Sequence, residues 1–160
     1  MGSARGLLAW LAAPESVEER QARIAEYLAN EGYELPPSPS DADYDEAGAV
    51  HRVRGWEMTV AYSVVDQGGR RVYHYVEWEV DHIITGRIHF GDEWALEYLD
   101  RIPTILRRGK VVWEEPDRVI YHSRHYYQAP DGEDAVLQVV IQRARSGRWY
   151  VATFYPPTRR

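Results

Sequence analysis

Two runs of alternating apolar residues, joined by a glycine pair, constrain this chain more than any other feature. Trp56, Met58, Val60, Tyr62 and Val64 recur at every second position, Gln67-Gly68-Gly69-Arg70 follows, and Val72, His74, Val76, Trp78 and Val80 resume the alternation. Period two puts such residues on one face of a strand, and Gly-Gly between two such runs is a strong hairpin signal. Toward Asp81-His82-Ile83-Ile84 the pattern becomes ambiguous. Val80, Ile83, Ile84 and Arg87 also fit one helical face, so the second strand is expected to give way to a short helix near Trp78.

The end of the chain reads the same way. Strand-like runs cover 118–128, 135–143 and 148–155, separated by Pro130-Asp131-Gly132 and Ser146-Gly147 and closed by Pro156-Pro157. This spacing predicts a three-strand antiparallel meander. Helical signals fill the gaps. Ser16-Val17-Glu18-Glu19 has the capping-box form, Ile24 and Leu28 follow at helical spacing, and Gly32 supplies a stop, which predicts a helix over about 17–30. A shorter helical turn is expected before Pro14. Asp92 reads as the cap of a central helix carrying Ala95, Tyr98, Leu99, Ile102 and Leu106, with a kink or restart at Pro103 and an end at Gly109.

The fold class is therefore α+β: an N-terminal helix, a hairpin, a central helix and a C-terminal meander packed as one domain. Residues 1–35 form the N-terminal helical segment, 36–49 an acidic Pro-rich loop or crossing strap, and 50–160 the α+β core. With 160 residues and 44% apolar content the chain can bury a core. It has no Cys, which excludes disulfides, thiolate metal sites and a cysteine nucleophile. No run of about 18 apolar residues is present, so no membrane span is expected. The apolar stretch within 1–13 is too short and poorly flanked for a secretory signal, and the cytoplasm is the expected location.

Two compositional biases point toward ligands. Six Trp and twelve Tyr stand against two Phe, favouring half-wet sheet faces, interfaces or base-stacking grooves. Of 19 basic residues only Lys110 is lysine, and Arg gives the bidentate contacts that Lys does not. The net charge of −6 argues against a general nucleic-acid binder, but the charge is unevenly placed. Residues 1–81 balance to −8 and residues 82–160 to +2. After Ala135 there are five arginines (Arg143, Arg145, Arg148, Arg159, Arg160) and no acid, so an anionic ligand would choose this arginine-rich C-terminal part. Solvated turn and tail positions account for the same residues without a ligand.

No phosphate loop, dinucleotide fingerprint, zinc-protease, nucleophile-elbow or EF-hand motif occurs, and nothing calls for a cofactor. Glu77, Glu79 and Asp81 would share one strand face, either as acid/base pairs or as a solvated edge. His122 and His125 fall on opposite strand faces, so no metal site is assigned to them.

Residues from about 80 to 157 carry an ordered set of short motifs: Asp81-His82-Ile83-Ile84, then His89, Ile102-Pro103-Thr104-Ile105-Leu106, Glu115-Pro116-Asp117-Arg118-Val119, Tyr126-Tyr127, Leu137-Gln138-Val139-Val140-Ile141 and Val151-Ala152-Thr153-Phe154-Tyr155-Pro156. This order resembles the superfamily of small metal-independent nucleases that groups barnase, EndoU, colicin RNase and RelE-like toxins, with 82–157 as the nuclease-like part. The resemblance implies an RNase-like, toxin-type domain or a degenerate relative, with RNA as substrate and an immunity-type protein as a partner. His82 and Thr153 match the motif positions. Chemistry adds Arg87 as phosphate clamp, His89 as a second imidazole and Tyr155 as a base-stacking ring. His122, Arg124 and Tyr126 share a predicted strand face beside Thr153 and are expected to line the substrate groove. The alternative is a non-catalytic module whose Trp/Tyr-rich sheet binds a protein or forms a homodimer. A third reading is a small-ligand pocket between helix and sheet.

Overall fold

The alternating runs form strands, and these strands join one sheet of seven. A computed structural model describes residues 17–33 and 36–157. Its strands are β1 (Val50–Val53), β2 (Trp56–Val65), β3 (Arg71–Tyr75), β4 (Lys110–Glu115), β5 (Arg118–His122), β6 (Tyr127–Gln128), β7 (Asp134–Ala135), β8 (Gln138–Arg143) and β9 (Trp149–Tyr155). The large sheet has the order β1-β2-β3-β9-β8-β5-β4, and β6 with β7 makes a separate small ribbon. All neighbours are antiparallel except β3 and β9. The chain is thus mixed α+β.

The expected meander is present as β5-β8-β9, but it is the middle of a wider sheet. Its first run breaks after His122: the Ser123 N–H still donates to the Leu137 carbonyl, but the Leu137 N–H donates to the Ser123 hydroxyl, which itself donates to the His125 carbonyl. Strands β1 and β4 are additions to the sequence reading.

Helix α1 (Val17–Asn30) buries Ile24 and Leu28 completely. Gly32, at φ 86, ends it, and the Tyr33 N–H turns back to the Leu28 carbonyl. Ser16, the turn expected before Pro14, and Arg159 and Arg160 lie outside the described residues. Helix α2 spans 76–90 and begins two residues before the expected switch at Trp78. It is α-helical over Val76–Trp78, π-helical over Glu79–Ile84 and α-helical again over Thr85–Phe90. Helical spacing of Val80, Ile83, Ile84 and Ile88 decides the ambiguity, because all four enter the main core. The period-two stripe of acids is therefore broken up. Glu77 accepts from the Thr59 N–H and hydroxyl, while Glu79 pairs with His74.

A 3₁₀ stretch (Glu93–Arg101) leads into α3 (Ile102–Arg108), and Pro103 sits in the first turn of α3, where its missing N–H costs no helical bond. Asp92 does not cap this stretch; its carboxylate takes Arg87 instead. Gly109 permits a close approach: a Cβ there would meet the Ile105 carbonyl and lie 2.8 Å from the His122 carbonyl.

The helices cover one face of the sheet, where Val119, Tyr121, Val139, Ile141, Val151 and Phe154 join the main core. The other face carries Gln138, Val140 and Gln142 of β8, whose cross-strand partners are Tyr155, Thr153 and Tyr150 on one side and His122, Ile120 and Arg118 on the other. A smaller apolar cluster, Val53, Met58, Val60, Tyr75, Tyr150 and Ala152, lies on this second side with Trp78 against it. A bulge between Val60 and Tyr62 moves β2 from this cluster to the main core. The acidic Pro-rich segment crosses β2 as a strap: Asp43 and Ser63 exchange two backbone bonds, and the Tyr44 ring lies 6.1 Å from Tyr62. Among the described residues no helix is long and apolar enough to cross a membrane.

Candidate functional site

The chemistry-bearing side chains gather on the sheet face that the helices leave. Because β3 ends at Tyr75 while its parallel neighbour β9 continues to Tyr155, α2 lies beside the second half of β9. The Trp78 indole donates to the Ala152 carbonyl at 2.8 Å and stands edge-on to Tyr150. The His82 ring stacks on Trp78 with centroids 3.6 Å apart. His82 is exposed on its other side. Loss of solvation under Trp78 holds its imidazole below the ordinary value; Asp81 opposes this shift and Arg54 adds to it. A neutral ring at neutral pH can accept a proton.

Arg54 comes from the β1–β2 turn. Its guanidinium lies 5.4 Å from the Trp78 ring centroid and donates to the Tyr150 hydroxyl, which in turn donates to Gln142. Val53 pairs with Trp56, leaving the two-residue turn Arg54-Gly55 with φ 55 and 83. Two left-handed residues in a hairpin turn are the place for Asn-Gly or Asp-Gly, and an arginine there is strained by about 1 kcal/mol. Beyond Arg54 the face opens into a hollow of about 600 Å³ that Arg52, Arg54, Arg143 and Arg145 line together with Gln142 and Tyr150. No acid lines it, and none of the four arginines forms an ion pair among the described residues, although Glu57 faces Arg52 across the ladder. Arg148 adds positive charge nearby, acting on Tyr75, Tyr73 and His51. His51 itself is buried and bonded to the Tyr75 hydroxyl at 2.8 Å.

The residues singled out from sequence divide. His82 and Thr153 share this side of the molecule: Trp78 ties His82 to Ala152, and Thr153 is the next residue of β9, half-buried, with no hydrogen bond to its hydroxyl among the described residues. Tyr155 and His122 lie on the same sheet face, linked by Gln138, which donates to the Tyr155 hydroxyl and accepts from His122 at 2.7 Å. Arg87 reaches this face too, 5.1 Å from the Tyr155 ring centroid, but it is not a free clamp. It is buried and committed to Asp92 at 2.5 Å, with its Nε unpartnered among the described residues. Burial lowers its pKa and raises that of Asp92. His89 is exposed and touches Phe90 edge-on. Arg124 and Tyr126 do not share a strand face with His122, because the strand ends there; Arg124 instead bonds the Arg108 carbonyl, and Tyr126 is exposed.

Sequence reasoning missed Arg52, Arg54, Trp78, Gln142 and Tyr150. The available signal was Arg54-Gly55 between two apolar flanks, a hairpin turn with an arginine where Asn is usual. Among the described residues no three His, Asp or Glu side chains are placed to hold a metal ion. Compared with known proteins, the chain matches no family model, no curated protein and no solved structure.

Proposed function

We propose that this face binds single-stranded RNA and that His82 makes it an RNase-like, metal-independent site. The observation that carries the reading is an arginine hollow linked to the Trp78–His82 stack by Arg54, which lines the one and lies over the other. Unpaired guanidinium groups suit phosphates, and a half-exposed aromatic stack beside them suits unpaired bases. In the cleavage step the 2′-hydroxyl gives its proton to His82, the 2′-oxygen attacks phosphorus and the P–O5′ bond breaks. Arg54 faces the charge that gathers on the phosphate oxygens. The departing 5′-oxygen takes a proton from water, which leaves a 2′,3′-cyclic phosphate. Labelled RNA incubated with the protein in EDTA should yield such ends. RNA that binds but is never cut would make the chain a non-catalytic relative.

Arg54→Asn separates fold from ligand. Asn-Gly relieves the strained turn, so the variant should melt a few degrees higher, for about 0.5–1 kcal/mol. It should also bind RNA more weakly, with the slope of log K against log salt reduced by about 0.7, the value for one lost phosphate contact on a single strand. Fluorescence anisotropy at several salt concentrations reads both, and unchanged affinity and slope would remove the hollow from the site.

One observation favours the interaction reading as well. Edge strand β4 exposes Val111, Val112 and Trp113, the last at 55%. Exposed apolar edges invite pairing with another chain. A two-fold axis through this edge would bring Lys110 of one copy toward Glu114 and Glu115 of the other. Sedimentation equilibrium should then show a dimer that Trp113→Glu disperses; a monomer at about 100 μM sinks the reading.

A further inference from the structure

We propose that a cavity on the opposite side of the sheet, between α1, the strap and the β2–β3 hairpin, binds a small organic amine with an apolar or aromatic body. The cavity measures about 480 Å³, within the range of small-molecule sites. Its walls are mainly apolar, with Ala25 of α1, prolines of the strap, Tyr44, Tyr62 and Leu99 among them. Glu79 and Asp100 line it, the latter 3.9 Å from the Arg101 guanidinium, and no Lys or Arg is among its described lining residues.

Three local departures from regular structure converge on this space. The bulge in β2 presents both Ala61 and Tyr62 to it. The π-helical segment begins at Glu79 and ends at Ile84, and both residues line it. The strap closes it with Tyr44, whose hydroxyl donates to the Pro39 carbonyl. Bulges and π-helical turns are concentrated at functional sites because they re-aim individual side chains at the expense of regular pairing.

At the centre of the wall lies His74, 2% exposed, with its ring parallel to Tyr62 at 4.8 Å. Its Nε2 lies 3.0 Å from the Glu79 carboxylate, which fixes the proton on that nitrogen. In the neutral ring Nδ1 is an acceptor, and it has no partner among the described residues. Buried polar atoms are nearly always satisfied, and this orphan lies within the wall rather than open to the space. The Tyr62 phenol shows that the acids act on the same place: burial first, then Glu79, Tyr44 and Asp100, hold it well above its usual range. An ammonium group supplies the positive charge that the Glu79 carboxylate on this wall favours. An apolar body fills the rest.

The test needs no knowledge of the natural ligand and is independent of the RNA reading. Tryptamine, tyramine and pentylamine would be titrated calorimetrically into the full chain beside carboxylates of matched size: indole-3-acetate, 4-hydroxyphenylacetate and hexanoate. At least one amine should bind with a Kd of about 10 μM to 1 mM, at least tenfold tighter than its carboxylate counterpart. Glu79→Gln should weaken it about tenfold. Ala25→Phe should abolish it by filling the space while leaving the thermal transition cooperative, and Arg54→Asn should leave it unchanged. If none of the amines outbinds its counterpart, or if Ala25→Phe binds as the unaltered chain does, the proposal fails.

Discussion

Asp66→Ala should lower stability by roughly 3–5 kcal/mol, the cost of breaking a buried charged network from one side. The Asp66 side chain is fully buried at the β2–β3 turn. Its Oδ1 accepts from the Gly68 N–H at 3.0 Å and the Arg70 N–H at 2.8 Å; its Oδ2 accepts from the Arg70 guanidinium at 3.0 Å and the Tyr121 hydroxyl at 2.6 Å. Truncation leaves Tyr121, itself 0% exposed, with an unpaired hydroxyl in the core. It also frees the turn that anchors α3, because Gln67 donates to the Leu106 and Gly109 carbonyls. A domain of this size has only about 5–15 kcal/mol in total, so the melting temperature should drop by roughly 6–20 °C. Tyr121→Phe removes the orphaned hydroxyl. The double variant should therefore be less destabilised than the sum of the singles, by about 1–2 kcal/mol of coupling. Additive losses, or a shift below about 2 °C for Asp66→Ala, would show that the turn is not held this way.

The hairpin that Asp66 closes was the most legible part of the sequence, and the reason is physical. Met58, Val60, Tyr62 and Val64 of β2 recur at every second position because each enters one of the two cores. Strand β1 has only four residues, too few to set a period. Strand β4 has all six residues exposed, so burial imposes no alternation on Lys110–Glu115. The switch from β3 to α2 was blurred because Val76, Trp78 and Val80 fit period two while Val80, Ile83 and Ile84 fit a helix; the helix prevails as these last three fill the main core. The site was legible only in pieces. His82 and Thr153 came from resemblance, and the C-terminal arginines from charge. The placement of α2, and with it His82, beside β9 depends on the parallel pairing of β3 with β9. Nothing local in residues 71–75 or 149–155 encodes that pairing, because partners some 77 positions apart (Val72 and Trp149, Tyr73 and Tyr150) leave no periodic trace. The same pairing carries Arg54 and Tyr150 together across 96 positions. Arg87 failed as a clamp for a related reason: Asp92, which reads as a cap five residues on, is its ion-pair partner.

His82→Ala should reduce RNA cleavage by about 10²–10⁴-fold, the contribution of a positioned general base, with RNA affinity within about threefold of the unaltered protein. On the proposed reading, affinity is spread over the arginines and the aromatic stack, whereas proton transfer needs the one imidazole. The pH profile tests the assignment more sharply than the loss alone. A base whose pKa is lowered stays competent below the ordinary value, so the acid limb of kcat/KM should have its midpoint under about 6.5. Solvation lost under Trp78 is the largest cause, with Asp81 opposing it and Arg54 reinforcing it. Removing a charge that raises the pKa should lower the midpoint, and removing one that lowers it should do the reverse. Asp81→Asn should therefore move the acid limb to lower pH, and Arg54→Asn to higher pH. Two substitutions on either side of one ring shifting a limb in opposite directions is a signature that neither a contaminating nuclease nor a general loss of stability can produce. Equal cleavage by His82→Ala, or a limb that ignores both charge changes, would assign the proton transfer elsewhere and leave this face a binding surface only.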